Sequence, residues 1–425
     1  MTADGWKAAI IFLAVYAALV ISKRWRPFIT WAGVLLALIL RVVDLGDFFS
    51  GGVNWNVIGI FVGSVILAEL LIYSRVPETV SDHLINRSPN LGVAFLLVIA
   101  FASFLSIFIE NVVTVLIVAP IAFELSRKAG ISPVPVIIGL AISSNLQGAA
   151  ILIGDTPSMI LAARMPLTFV EFFVYRGRAG IFWFTQIGAA AGFLVLLLFF
   201  VTYRQRPEKI AVTRIRSLVP VWLISATIVL LSIGSYIDPQ LRWFGGSACM
   251  IIGAVGFIWY RRRISDGIVS FLSRIDLGTA AFLVAIFLLV YMLEKNGVIA
   301  VFVAWLVENI RGAGPFAVYS AVVWVSVLVS AFIDNIPYIT AMLPVVLGLS
   351  ATLGISRELL AFGLLLGSCL GGNITPIGAA SNLVAFRLLE RGRNPIRFRT
   401  FVKYGLPFTL AATGAAWIVL WLVYR

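Results

Sequence analysis

Slid forward by 224 positions, residues 106–154 of this 425-residue chain lie on residues 330–378 without a gap, with 17 identities in 49 positions. The matches include Ser106 with Ser330, Asn111 with Asn335, Pro120 with Pro344, Gly130-Ile131-Ser132 with Gly354-Ile355-Ser356, Gly148 with Gly372, and Gly154 with Gly378. Shared apolar composition alone does not bring polar residues, prolines and glycines into register, so the chain carries an internal duplication. Any fold it adopts must contain two copies of one unit. Each copy must also house an acid beside an amide, Glu110-Asn111 or Asp334-Asn335, in strongly apolar surroundings.

Those surroundings are apolar enough to be lipid. Hydrophobic residues make up 61% of the chain, charged residues only 12%, and the mean hydropathy is +1.04. This balance excludes a soluble domain and predicts an all-α polytopic membrane protein. Membrane spans are expected at 6–22, 28–44, 53–73, 180–202, 217–236, 243–260, 279–293 and 402–424. The first run lacks a basic segment before it and a small-residue cleavage site after it, so it reads as a retained helix and not a signal peptide. Two stretches, 91–127 and 315–349, are too long for one span and carry the acid-amide pair midway; they are expected to be re-entrant hairpins with that pair at the tip. Two others, 134–163 and 358–389, are expected to be broken helices, because Gly, Pro and polar residues interrupt them.

The expected organisation is a first repeat at 1–202, a cytoplasmic linker at 203–216 and a second repeat at 217–425. Each half then has five spans, one of them broken, plus one hairpin. An odd number of spans turns the second half upside down, giving an inverted repeat. The charges agree. With the N-terminus outside, 22 of the 32 Lys and Arg fall in cytoplasmic segments, among them Lys23, Arg24, Arg26, Arg127, Lys128, Arg274 and Arg393. Both termini are then outside, in the cytoplasmic membrane of a prokaryote, and the net charge of +13 reflects orientation in a membrane and not affinity for nucleic acid.

Chemistry concentrates in the duplicated cores. An ionised carboxylate in the bilayer core is costly unless it meets water, a cation or a proton donor, so Glu110 and Asp334 are functional candidates. They could serve only as helix caps, but a neutral Ser or Thr would cap with far less desolvation. The breaks "SSNLQGAAILIGDTPSMILA" (143–162) and "GSCLGGNITPIGAASNLVAF" (367–386) gather Asn145, Gln147, Asp155, Asn373, Thr375, Ser381 and Asn382. Unwound backbone at membrane depth frees carbonyls for a cation, and the following half-helix start can hold an anion or polar solute. Tips and breaks should converge on two pseudo-symmetric sites. The single His83 and the two separate cysteines, Cys249 and Cys369, supply neither a metal set nor a nucleophile–base pair, so an enzyme is not expected. Cys369 near the second break raises the idea of a soft-metalloid ligand, against which stands its plainer reading as a small apolar residue.

The pairing of "FIENVVTVLIVAP" with "LIGDTPSMILA", and of "FIDNIPYITAMLP" with "GGNITPIGAASNLVA", resembles the ion transporter superfamily. Within it the chain is most similar to the branch of arsenite permeases, NhaD-type Na+/H+ antiporters and the P protein, and more distantly to the divalent anion:sodium symporters, which carry Ser-Asn-Thr at the hairpin tips. The resemblance implies a homodimeric secondary active transporter working by alternating access, with no cofactor beyond Na+ as a candidate coupling ion. Its coupling-ion residues would be Ser106, Glu110, Asn111 and Gly154 in one half and Ser330, Asp334, Asn335 and Gly378 in the other. Its substrate would touch Asn111, Asn335, Thr156, Thr375 and Asn382. The chain departs from the branch at Glu110, where Asp is usual, and at "GDTPS", which replaces Gly-Asp-Pro-Pro-Asn and puts Ser158 in place of an amide. Acids at the tips favour a neutral or weakly charged solute such as arsenite, coupled to H+ or Na+. The alternatives are Na+/H+ antiport alone, or Na+-coupled symport of a di- or tricarboxylate or another anion.

Overall fold

Apolar runs fold as helices because a lipid-like environment leaves backbone groups no partners but each other. Short polar residues mark where the helices begin. Thr2, Asn54, Asn90, Asp155, Asp276 and Ser356 each accept a hydrogen bond from a backbone N–H of the helix they precede. The computed structural model describes residues 1–22, 25–47, 51–263, 271, 273, 275–310, 312–392 and 394–425. Of the charges counted above, Lys23, Arg24, Arg274 and Arg393 lie outside the described residues.

Among the described residues eighteen α-helices follow one another. The first nine are α1 (Ala3–Ile21), α2 (Arg26–Ile39), α3 (Trp55–Ser74), α4 (Val76–Arg87), α5 (Leu91–Leu105), α6 (Asn111–Lys128), α7 (Val134–Gly148), α8 (Thr156–Arg164) and α9 (Ile181–Phe200). The second nine are α10 (Val219–Ile237), α11 (Phe244–Arg263), α12 (Leu277–Lys295), α13 (Val298–Asn309), α14 (Pro315–Ser330), α15 (Asn335–Leu353), α16 (Arg357–Gly371), α17 (Ala380–Arg391) and α18 (Phe398–Tyr424). The second series repeats the first in order, and α6 lies on α15 and α7 close to α16 at the 224-residue offset. Eight helices, α1, α3, α9, α10, α11, α12, α15 and α18, are long and apolar enough to cross a membrane. The chain is an all-α polytopic membrane protein, with one small antiparallel hairpin of Val174–Tyr175 and Arg178–Ala179 between α8 and α9.

Two helices, α4 and α13, lie beyond the expected spans. The chain breaks before each at a left-handed residue, Arg75 (φ 57°) or Gly297 (φ 71°), which ends the long helix and re-aims the next turn. The segment 203–216 is held along the first half. It is not a loose tether, because Arg216 N–H bonds Ser74 O, Thr213 N–H bonds the Asp82 carboxylate, Ile210 N–H bonds the Asn86 amide, and Leu91 N–H bonds Gln205 O. It therefore runs as a strap along α4.

The arms α5 and α6 turn back on each other through 106–110, and α14 and α15 through 331–334. Both arms of the first hairpin reach the strap end: Leu91 bonds Gln205, and α6, whose Arg127 shares a cleft with Gly392 and Asn394, packs on α4, along which the strap runs. Pro315, Gly354 and Ser356, at the mouths of the second, share a cleft of about 550 Å³ with Tyr175, Arg178 and Tyr424. Helix α9 runs from beside that cleft to the strap, and twenty residues at 1.5 Å each span roughly 30 Å. The two clefts are thus at opposite ends. Each hairpin leaves its mouth through a glycine in the left-handed region, Gly130 (φ 66°) or Gly354 (φ 68°), a conformation that a Cβ disfavours. Hairpins and breaks pack on one another and on the α9–α18 pair, while α1, α2, α3, α10, α11 and α12 form a flanking bundle.

Candidate functional site

Each hairpin tip is pinned to the helix before the neighbouring break by the same bond. Ser106 Oγ donates to Ser144 O at 2.9 Å, and Ser330 Oγ donates to Ser368 O at 2.5 Å, both pairs 38 residues apart. Backbone then meets backbone. A Cβ on Gly154 would sit 2.7 Å from Gly148 O and 2.9 Å from Ile107 O, and one on Gly378 would sit 2.8 Å from Ser330 O. Only glycine lets the tip carbonyls lie against the break. Inside each break a polar side chain closes the loop: Ser158 Oγ donates to Gly148 O, and Asn382, 224 positions on, donates Nδ2 to Gly372 O at 2.9 Å.

The two halves are joined through buried amides. Asn145 Nδ2 donates to Cys369 O (2.8 Å) and to Asn373 Oδ1 (2.9 Å), and Asn373 Nδ2 donates to Ile142 O (3.1 Å). Asn111 Nδ2 donates to Asn145 Oδ1 (2.9 Å) and to Asp155 Oδ2 (3.0 Å), while Asp155 Oδ1 caps α8 through Thr156 N–H. In the other half Asn335 takes the place of Asn111, and Cys369 stands where Asn145 stands in the first. Asp155 and Thr156 are matched there by Ala379 and Ala380. The two sites are therefore related but chemically unequal.

The acids also differ. Asp334, 4% exposed, accepts a hydrogen bond from Arg26 Nη2 at 2.8 Å and from Ile336 N–H at 3.3 Å. Glu110 opens α6 at the equivalent place, yet its side chain makes no capping bond, and among the described residues it has no ion pair. Arg26, expected as a charge of the segment between the first two spans, opens α2 and reaches a hairpin tip 308 residues away. Asp155, grouped at the break but not assigned to the ion site, belongs beside Asn111; the signal available was an acid in an apolar run. Asn145 and Asn373 were visible as polar residues at the breaks, but nothing in their spacing showed that they bond each other.

Among the described residues several buried oxygens around the breaks have no protein partner: Ser143 Oγ, Ser144 Oγ, Thr156 Oγ1, Ser381 Oγ and Asn382 Oδ1. Of the residues expected to touch substrate, Thr156 and Asn382 thus keep a free oxygen, whereas Thr375 donates its hydroxyl to Ala331 O. Hydroxyl, amide and carbonyl oxygens suit a hard monovalent cation or a hydrogen-bonding solute, and among the described residues no His, Cys, Asp and Glu cluster could hold a metal ion.

Paired hairpins seated on paired helix breaks inside an apolar helical bundle are the architecture of a polytopic membrane transporter. The chain belongs to the citrate transporter family, whose sequence model matches residues 16–367. It is 27% identical to a 46 kDa membrane protein of Mycobacterium leprae (strain TN) across 98% of both chains. It is 24% identical to the P protein of Sus scrofa across 95% of this chain and 58% of that one. Among solved structures it shares its fold with the YdaH transporter of Alcanivorax borkumensis, with a TM-score of 0.61, 14% identity, and coverage of 91% of this chain and 88% of that chain.

Proposed function

We propose that the protein is a cation-coupled secondary active transporter, driven by H+ or Na+, that moves a small solute by alternating access. One observation carries this reading. Both hairpin tips lie on helix breaks where several buried oxygens lack a partner among the described residues, and a buried oxygen without a partner is costly unless a ligand completes it. Hairpins opening at opposite ends support an inverted repeat divided at 203–216, with the hairpins and broken helices moving against the flanking bundle. Homodimerisation and placement in a prokaryotic cytoplasmic membrane with both termini outside belong to the same reading.

The substrate follows from charge. Glu110, Asp155 and Asp334 meet the paired sites and Arg26 is the one guanidinium bonded to them among the described residues, so a free polyanion is repelled. An uncharged acid such as arsenite suits this balance. Symport of a carboxylate is the second reading, favoured by the family's description as citrate transporters, and it requires cations to enter with the anion. The test is uptake by purified protein in liposomes from a panel of arsenite, citrate, succinate and sulfate under imposed pH or Na+ gradients. Gradient-driven accumulation of one of these supports the reading. Gradient-independent, non-saturating flux would overturn it in favour of a channel.

A further inference from the structure

We infer that Arg26 is a tethered competitor for the coupling cation, an electrostatic latch that holds the second hairpin to the flanking bundle until a cation reaches Asp334. This inference rests on the cation-coupled reading and assigns it a further residue. The ion pair joins two bodies. Arg26 opens α2, which packs on α1 and α12 of the flanking bundle, whereas Asp334 lies at the tip between α14 and α15. Any displacement of the hairpin body against the bundle by more than hydrogen-bond length breaks the contact.

The pair also sits where a cation would bind. Arg26 Nη2 lies 2.8 Å from Asp334 Oδ2, so the guanidinium occupies the side of the carboxylate left free by Ile336 N–H. Arg26, Asp334 and Tyr16 line one tight crevice with Phe282, Phe332 and Pro337. The Tyr16 hydroxyl is buried and has no hydrogen-bond partner among the described residues. A carboxylate oxygen and an unpartnered phenol oxygen are two oxygen donors for Na+ once the guanidinium swings away. Glu110, at the matching position of the first hairpin, has no such partner among the described residues.

A tethered competitor raises the cation concentration needed for occupancy and blocks movement of the empty carrier. The test uses the intact protein in detergent and in liposomes, as wild type, R26Q, R26K and D334N. Sodium chloride is titrated against choline chloride at constant ionic strength while the thermal unfolding midpoint is read, and solute uptake is then measured in choline alone. In R26Q the half-stabilising Na+ concentration should fall roughly tenfold, equivalent to about 1.4 kcal/mol. R26Q should also show uptake in choline that wild type lacks, and R26K should restore wild-type behaviour on both counts. Equal half-stabilising Na+ in wild type and R26Q, or no stabilisation by Na+ in either, overturns the latch. Coupling lost in D334N with R26Q unchanged overturns the latch alone. Wild-type uptake indifferent to both Na+ and pH overturns the coupled-transport reading as well.

Discussion

Replacing Asn145 with Ala removes a side chain that ties the two breaks together. It deletes three hydrogen bonds, to Cys369 O, Asn373 Oδ1 and Asn111 Nδ2, all buried. Hydrogen bonds between transmembrane helices average about 0.6 kcal/mol, which sets a floor of roughly 2 kcal/mol for three. Groups orphaned without water lose about 1–3 kcal/mol each, but Asn111 still has Asp155 and part of the loss is relieved by rearrangement. The expected destabilisation is about 2–4 kcal/mol. It can be read as a lowered unfolding midpoint in detergent, with Ser225→Ala, an exposed hydroxyl bonded only within its own helix, as the control within about 0.5 kcal/mol of wild type. Transport should fall with it, since the Asn111–Asn145–Asn373 chain positions both breaks. An N145A protein as stable as the control, and transporting as well, would refute the claim that these amides hold the two breaks together.

Cys369→Ala should retain most transport, because Asn145 bonds the Cys369 carbonyl, which alanine keeps; loss of arsenite uptake with unchanged expression and Na+ response would make the thiol a ligand. At Asp47, in the loop between α2 and α3, burial pushes the carboxyl up, but the Asp44 N–H and Lys295 outweigh it and hold it below the usual carboxylate range. Its stabilisation is therefore full above the unfolded value of about 3.9 and is lost as pH falls through the lower folded value. Asp47→Asn should cost about 1–3 kcal/mol at pH 7 and remove that acid-side loss from the unfolding curve, and an unchanged curve contradicts the assignment. Cysteines at Arg127 and Gly312, in a protein lacking Cys249 and Cys369, should react with an impermeant thiol reagent from opposite sides of the membrane; labelling of both from one side would defeat the inverted arrangement.

The duplication was legible because it rests on residues whose roles are local. Gly130 and Gly354 answer to a backbone angle, Gly154 and Gly378 to a close approach, and Ser106 and Ser330 to a carbonyl 38 residues away, so each leaves the same mark twice in the sequence. Helices α4 and α13 were not legible. The first is polar and reads as a loop, and the second is a twelve-residue apolar run, short for a span, set off from α12 by Asn296 and the left-handed Gly297. The site's asymmetry was hidden for a different reason. Arg26 follows other basic residues at the start of α2, where topology alone accounts for it, and no spacing reveals a partner 308 residues away. Asn145 and Asn373 likewise gain their meaning only when the two breaks are brought face to face.

The claim that most needs a direct test is that buried acids carry the coupling. The measurement is initial solute uptake into liposomes as a function of pH and of Na+, for wild type, Glu110→Gln, Asp155→Asn, Asp334→Asn and the triple variant, each confirmed to be folded. Every amide keeps the size of its acid. In Asp155→Asn the side-chain oxygen can still accept the Thr156 N–H bond, and in Asp334→Asn the Ile336 N–H bond, so stability should change less than coupling. If the acids carry the coupling, Asp334→Asn loses most of the ion dependence, Glu110→Gln loses no more than that, and the triple variant transports without regard to either ion. Full wild-type dependence on pH and Na+ in the triple variant would show that these carboxylates are structural and that coupling lies elsewhere in the chain.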